Sequence, residues 1–205
     1  MKKYFLGVAV ILSILFCLFV LVGFVFNRVL SVPTGAMANT IIPGENIVTS
    51  RFYSEIKRGD IMVFKFPGDP KIPYIKRVIG MPGETIQIRG QKVFINNQEL
   101  QEKRVQCEIL QDDKAPLKEF STDGTGIYST YHDKNREPDY ASHGMKYGVQ
   151  EPFAIPAGEY FVLGDSRDNS LDSRYWGTVK ADAMLFKARS IFSSPVDSRN
   201  FSDLK

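Results

Sequence analysis

An uncharged run from Tyr4 to Phe26, "YFLGVAVILSILFCLFVLVGFVF", dictates how everything after it can be arranged. Only Gly7, Ser13 and Gly23 interrupt its large apolar side chains. At about 23 residues it is long enough, as a helix, to cross a hydrocarbon core of roughly 30 Å. The apolar part of a cleaved secretory signal runs about 7–15 residues and ends in a small-x-small cleavage site. This run is longer and passes into "NRVL" without such a site, so residues 1–29 are expected to be an uncleaved membrane anchor. Lys2 and Lys3 precede the run and Arg28 alone follows it closely. That bias predicts a single pass with a cytoplasmic N-terminus and residues 30–205 on the far side.

The length of 205 residues and hydrophobic content of 43% suit one folded domain plus this appendage. A net charge of +3, from 26 basic and 23 acidic residues, gives no reason to expect a nucleic-acid partner. Cys17 lies in the apolar run and Cys107 is the only cysteine beyond it, so the exported part has no internal disulfide to form. Cys107 is expected to be a free thiol or a small buried hydrophobe. His132 and His143 stand in a polar stretch without ligand spacing, and both are expected at the solvated surface. No metal or cofactor is expected.

Beyond the anchor the chain alternates short β-branched or aromatic segments with turn residues. "DIMVFKF" (Asp60 to Phe66), "YIKRVIG" (Tyr74 to Gly80), "ETIQIRG" (Glu84 to Gly90), "QKVFIN" (Gln91 to Asn96) and "EYFVLGD" (Glu159 to Asp165) read as strands, with "PGD", "MPGE" and "RGQ" between them. No exported segment sustains a helical period, which predicts an all-β domain. From 97 to 152 the composition turns polar, predicting a small β subdomain or long loops inserted between two core segments, 30–96 and 153–192. Residues 193–205 are expected to form a solvated tail.

Three stretches could carry chemistry, and each has a plain structural explanation of its own. "PTGAM" (Pro33 to Met37) could be a turn leading into the domain. In "YIKRVIGMPGE", Lys76 and Arg77 are neighbours in a strand and point to opposite faces, so one is expected to be covered and the other wet. Lys76 is the better buried partner, because lysine can lose its proton whereas arginine stays charged. An edge strand blunted by charge would also explain the pair. "GDSRDNSLDSRYWG" (Gly164 to Gly177) suits a loop folded on itself through ion pairs and Asx turns.

Taken together and in this order after an apolar run, the three stretches resemble the type I signal peptidases, membrane-bound serine proteases that remove signal peptides from exported proteins. The third stretch matches the family's Gly-Asp-x-Arg-Asp-Asn-Ser-x-Asp-Ser-Arg motif at every fixed position, and "KRVIGMPGE" differs mildly at Met81 and Glu84. The resemblance implies an all-β extracytoplasmic catalytic domain with a variable polar insertion, behind one N-terminal transmembrane helix in a bacterial cytoplasmic membrane. It implies a Ser-Lys dyad whose general base is Lys76 and whose serine position is Ala36. Thr34, with the backbone N–H of residue 36, corresponds to the oxyanion hole. Ser170 matches the serine that orients the lysine, and Asp172 and Arg174 match residues that hold the site together. Asn39-Thr40 stands where the family often has Pro-Thr. The partners implied are signal peptides of exported preproteins and the lipid bilayer.

The chemistry explains why such a set is needed. A lysine with a pKa of about 10.4 is neutral in well under 1% of molecules at pH 7, too rarely for a general base. Burial lowers that pKa, and a serine hydroxyl can orient the neutral amine as it takes a proton from the nucleophile. Donors at the oxyanion then contribute about 3 kcal/mol each in other proteases. A substrate is expected to add as an extended strand beside Val32, Tyr74 and Ile75, with shallow apolar pockets favouring small side chains. Alanine at position 36 removes the nucleophile. Thr34 is too far along the loop to replace it, by about 6–7 Å. The alanine is either a deliberate substitution in an active peptidase or the mark of a natural peptide-binding relative. Keeping a buried lysine without chemistry is costly, which favours an engineered or recent loss.

Overall fold

The structure is a computed structural model that describes residues 11–18, 23, 27–108, 116–136, 140, 143–149 and 151–204. Residues 11–18 are helical, and apart from these and Gly23 the expected anchor run lies outside the described residues. Among the described residues no helix is long and apolar enough to cross a membrane.

The remainder is predominantly β, as its alternation and turn residues predict. The main sheet contains β1 (Asn27–Ser31), β2 (Asn46–Ser50), β3 (Ile61–Phe66), β4 (Asp69–Gly80), β12 (Glu159–Leu163), β13 (Val179–Lys180) and β14 (Met184–Ser193). Their spatial order is β1-β2-β14-β3-β4-β12-β13, with every neighbour antiparallel. β1 starts the sheet at Asn27, so three residues expected in the anchor are taken up by the core. β5 (Thr85–Arg89), β6 (Lys92–Ile95), β7 (Gln98–Glu99) and β11 (Phe153–Ala154) form a second sheet in the order β11-β5-β6-β7. Gly83 and Gly90 make the turns around β5 with φ of 81° and 57°, a region open to glycine but strained for most residues.

The polar insertion is a β subdomain in part. β8 (Lys103–Glu108) pairs antiparallel with β9 (Lys118–Asp123) and parallel with β10 (Ser129–Asp133). β9 is exposed along its whole length and carries charges that suit an edge. The insertion also hides polar groups that its composition does not announce. His132, expected at the surface, is fully buried, with Nε2 3.1 Å from Thr130 Oγ1 and Nδ1 3.4 Å from the Tyr140 hydroxyl. Burial first, and then the charges of Arg167 and Arg174, push its pKa down to about 2, so the ring is neutral. His143 is exposed as expected, and Cys107 is a buried free thiol.

Apolar clusters hold the sheets together, one of them, Val105, Cys107 and Tyr131, within the insertion. Ile79, Phe161 and Leu163 of the main sheet pack with Ile86, Ile88, Val93 and Ile95 of the second. Ile61 meets Val32, Met37 and Ile41 under the 32–45 loop, whereas its neighbour Met62 packs with Phe64, Val78 and Val162. β3 is thus covered on both faces, which is why "IMVF" is continuously apolar rather than alternating. The last residues do not form a solvated tail. Ile191 N donates to Ser202 O at 2.8 Å and Leu204 N to Arg189 O at 2.9 Å, so the segment folds back along β14. Polar composition suggested solvent, but its Arg199 side chain finds the buried carboxylate of Glu45.

Candidate active site

The three motif stretches, far apart in sequence, line one cavity of about 710 Å³. Pro33 to Ala36 form one part of its wall, Ile72 to Lys76 a second, and Asp168 to Leu171 a third, with Arg136 and Tyr175 completing it.

Residue 36 sits in a short 3-10 turn, Gly35–Met37, and is largely buried. The turn is pinned from behind. Ser166 N donates to the Ala36 carbonyl at 3.2 Å, and Gly164 lies so close that a Cβ there would stand 2.5 Å from the same oxygen and overlap Ser170. Thr34 is exposed at the cavity, and its hydroxyl makes no cap bond to the turn. Val32, expected along a substrate strand, lies away from the wall. It is 3% exposed, and its N–H and C=O are both taken, by Glu45 O at 2.9 Å and Gly44 N at 2.8 Å. Tyr74 and Ile75 do line the cavity.

Lys76 is 4% exposed, and among the described residues no carboxylate forms an ion pair with it. Its Nζ stands 5.3 Å from the centre of the Tyr74 ring. Burial is the largest influence on the amine and lowers its pKa to about 8, although Asp172 and Asp165 pull the other way. Ser170 Oγ is also buried and makes no well-aligned hydrogen bond among the described residues, although it stands near enough to the Asp172 carboxyl to help hold it ionised.

The expectation that only one of Lys76 and Arg77 is covered is wrong. Arg77 is fully buried on the opposite face of β4, which is an interior strand rather than an edge. It escapes the cost of burial by forking onto Asp165, with Nε to Oδ1 at 2.9 Å and Nη2 to Oδ2 at 2.6 Å, and by donating to Gly59 O at 2.7 Å. Two more buried pairs complete the scaffold. Arg174 forks onto Asp172 with both bonds at 2.8 Å, and Arg167 pairs with Glu102. Burial raises the Asp172 pKa, but the Arg174 guanidinium and the Gly164 N–H outweigh it and hold the carboxyl below its ordinary value. The Gly164 to Gly177 loop is therefore not folded only on itself: two of its ion pairs reach β4 and the polar insertion.

Comparison with known proteins identifies the family of the chain. Residues 3–193 match the family described as "Signal peptidase, peptidase S26". The chain belongs to this family. A signal peptidase I of Pseudomonas aeruginosa is 32% identical over 187 residues, covering 82% of this chain and 61% of that protein. One from Rickettsia massiliae is 32% identical over 203 residues, covering 87% of this chain and 76% of that protein. This chain thus spans about three fifths of the Pseudomonas relative it matches. A crystal structure of a signal peptidase I from Enterococcus faecalis V583 is 26% identical, covering 66% of this chain and 98% of that one, with a TM-score of 0.41.

Within this peptidase S26 chain, sequence reasoning passed over several groups that the fold brings to the site. Arg136 comes from the polar insertion and reaches the cavity, donating from Nη1 to Asp168 O at 2.6 Å. Glu102 has no motif around it, and its role appears only when Arg167 meets it across 65 positions of sequence. Asp165 was visible in the motif, but its partner on β4 was not.

Proposed function

We propose that this chain is a membrane-anchored Ser-Lys signal peptidase in which the nucleophile position, residue 36, carries alanine, leaving the rest of the machinery assembled and the chain inactive. The observation that carries the reading is Lys76: a buried amine without an ion-pair partner among the described residues, depressed to about 8, lining the same cavity as Ala36 and Ser170. With serine at 36, the neutral amine accepts the hydroxyl proton as the oxygen attacks the scissile carbonyl, and Ser170 Oγ holds the amine in line. The Thr34 hydroxyl and the backbone N–H of residue 36 receive the developing oxyanion, and the protonated Lys76 then gives its proton to the departing amine.

The substrate in this reading is the end of a signal peptide, bound as an added strand. β12 pairs with β4 only at Arg77, Val78 and Gly80, so the preceding residues of β4, Tyr74 and Ile75 among them, present an edge to the cavity. The apolar run Tyr4 to Phe26 supplies the bilayer anchor, with the β domain on the extracytoplasmic side.

Restoring the hydroxyl tests the reading. Ala36→Ser is expected to cleave preprotein in detergent or vesicles, with kcat/KM rising with pH through about 8 as Lys76 loses its proton. Adding Lys76→Met is expected to abolish cleavage. A pH profile without that limb contradicts Lys76 as the base.

A further inference from the structure

We propose that residues 194–204 form a strap that sets the position of the loop bearing residue 36, with Arg199 as its positioning residue; this rests on the reading that residue 36 is the nucleophile position. The segment lies beyond residues 3–193, which carry the family match. Its Arg199 makes a two-pronged contact with the loop. Nε donates to Glu45 Oε1 at 2.6 Å, and Nη2 donates to the main-chain carbonyl of Thr40 at 2.9 Å. Glu45 is fully buried, and its other oxygen accepts from Ile42 N at 2.9 Å. One guanidinium therefore neutralises the carboxylate that caps the loop and also fixes the loop's own backbone.

Thr40 is the point where the strap meets the catalytic scaffold. Its carbonyl is held by Arg199, while its hydroxyl donates to Asp165 Oδ2 at 2.6 Å, and Asp165 carries Arg77, the residue next to Lys76. The strap and the lysine strand thus grip the loop from two sides, four residues beyond position 36. Leu204 adds an apolar contact, packing against the cluster that contains Met37 and Ile41. A lysine at 199 would keep the charge but place all its donors on one nitrogen, losing the fork by which Nε and Nη2 together hold Glu45 while Nη2 also holds Thr40 O.

The test uses Arg199→Met and Arg199→Lys, each made in the chain as it stands and in the Ala36→Ser background. By hydrogen exchange, Arg199→Met is expected to speed the amides of residues 36–42 at least about tenfold while those of β3 and β4 stay protected, with Arg199→Lys between. In the Ala36→Ser background kcat is expected to fall about tenfold or more with KM within about twofold, and Arg199→Lys to recover part of the loss. Unchanged exchange at 36–42 overturns the strap, and so does equal acceleration across β3 and β4, which marks general destabilisation. An unchanged kcat despite a loosened loop overturns the positioning role. If Ala36→Ser is inert while Arg199→Met selectively loosens the loop, the strap stands and the proposed activity is what fails.

Discussion

Lys76 is kept where a charged amine is unwelcome, and that choice has a sign and a size. In the unfolded chain its pKa is near 10.5, and in the fold burial lowers it to about 8. Below pH 8 both states are protonated and the fold bears the whole penalty, roughly 3 kcal/mol. Between 8 and 10.5 the unfolded chain binds the proton that the fold has released, so stability rises with pH across that window. Lys76→Met is accordingly expected to melt higher than the parent at pH 7, with the gap closing towards pH 10.5; thermal unfolding at the two pH values checks this. A gap that stays constant would show that the amine is not destabilised by its surroundings. The burial of Lys76 could be anticipated, because its chemistry and its apolar neighbours point the same way. That of Arg77 could not, since its partner Asp165 is 88 positions away and strand alternation alone says nothing of what covers the second face.

The loop after β12 shows how an element can be recognised without its purpose being legible. Its spacing of Asp, Arg and Ser predicts a tightly bonded turn, and the Asp172–Arg174 fork agrees. What spacing cannot convey is how closely the turn packs on the loop from Pro33 to Ala36. Gly164 makes that approach possible, with Ala36 O and Ser170 where its side chain would be. Gly164→Ala is therefore expected to cost about 1–3 kcal/mol by overpacking, and in the Ala36→Ser background to lower activity by about 100-fold or more as the two loops separate. Denaturant unfolding and kcat/KM check the two parts. A stable variant with full activity would mean that the contact between these loops is not needed.

Across the whole molecule, the polar insertion is bound into the site rather than hung beside it. Glu102, 1% exposed, holds Arg167 and accepts from the Tyr128 hydroxyl at 2.9 Å, and the Tyr128 ring in turn lies 4.4 Å from the Arg77 guanidinium. Composition marks the insertion as polar. It does not reveal that Glu102 is buried against the motifs, because its partner Arg167 lies 65 positions away in the sequence. Glu102→Ala strands a buried guanidinium and is expected to destabilise the whole domain by about 3–5 kcal/mol, in a single urea transition. An early separate transition of the insertion would show that it folds independently of the core. Residue 36, its lysine and this scaffold meet in one claim, that an assembled peptidase site lacks only its hydroxyl. The mass spectrum of a preprotein incubated in vesicles with the Ala36→Ser chain tests that claim most directly. A single cut after a small residue is expected, absent with the alanine chain and absent again when Lys76→Met is added. Intact preprotein, with the Ala36→Ser chain folded and still binding the signal peptide, would contradict it and leave a peptide-binding protein without catalysis.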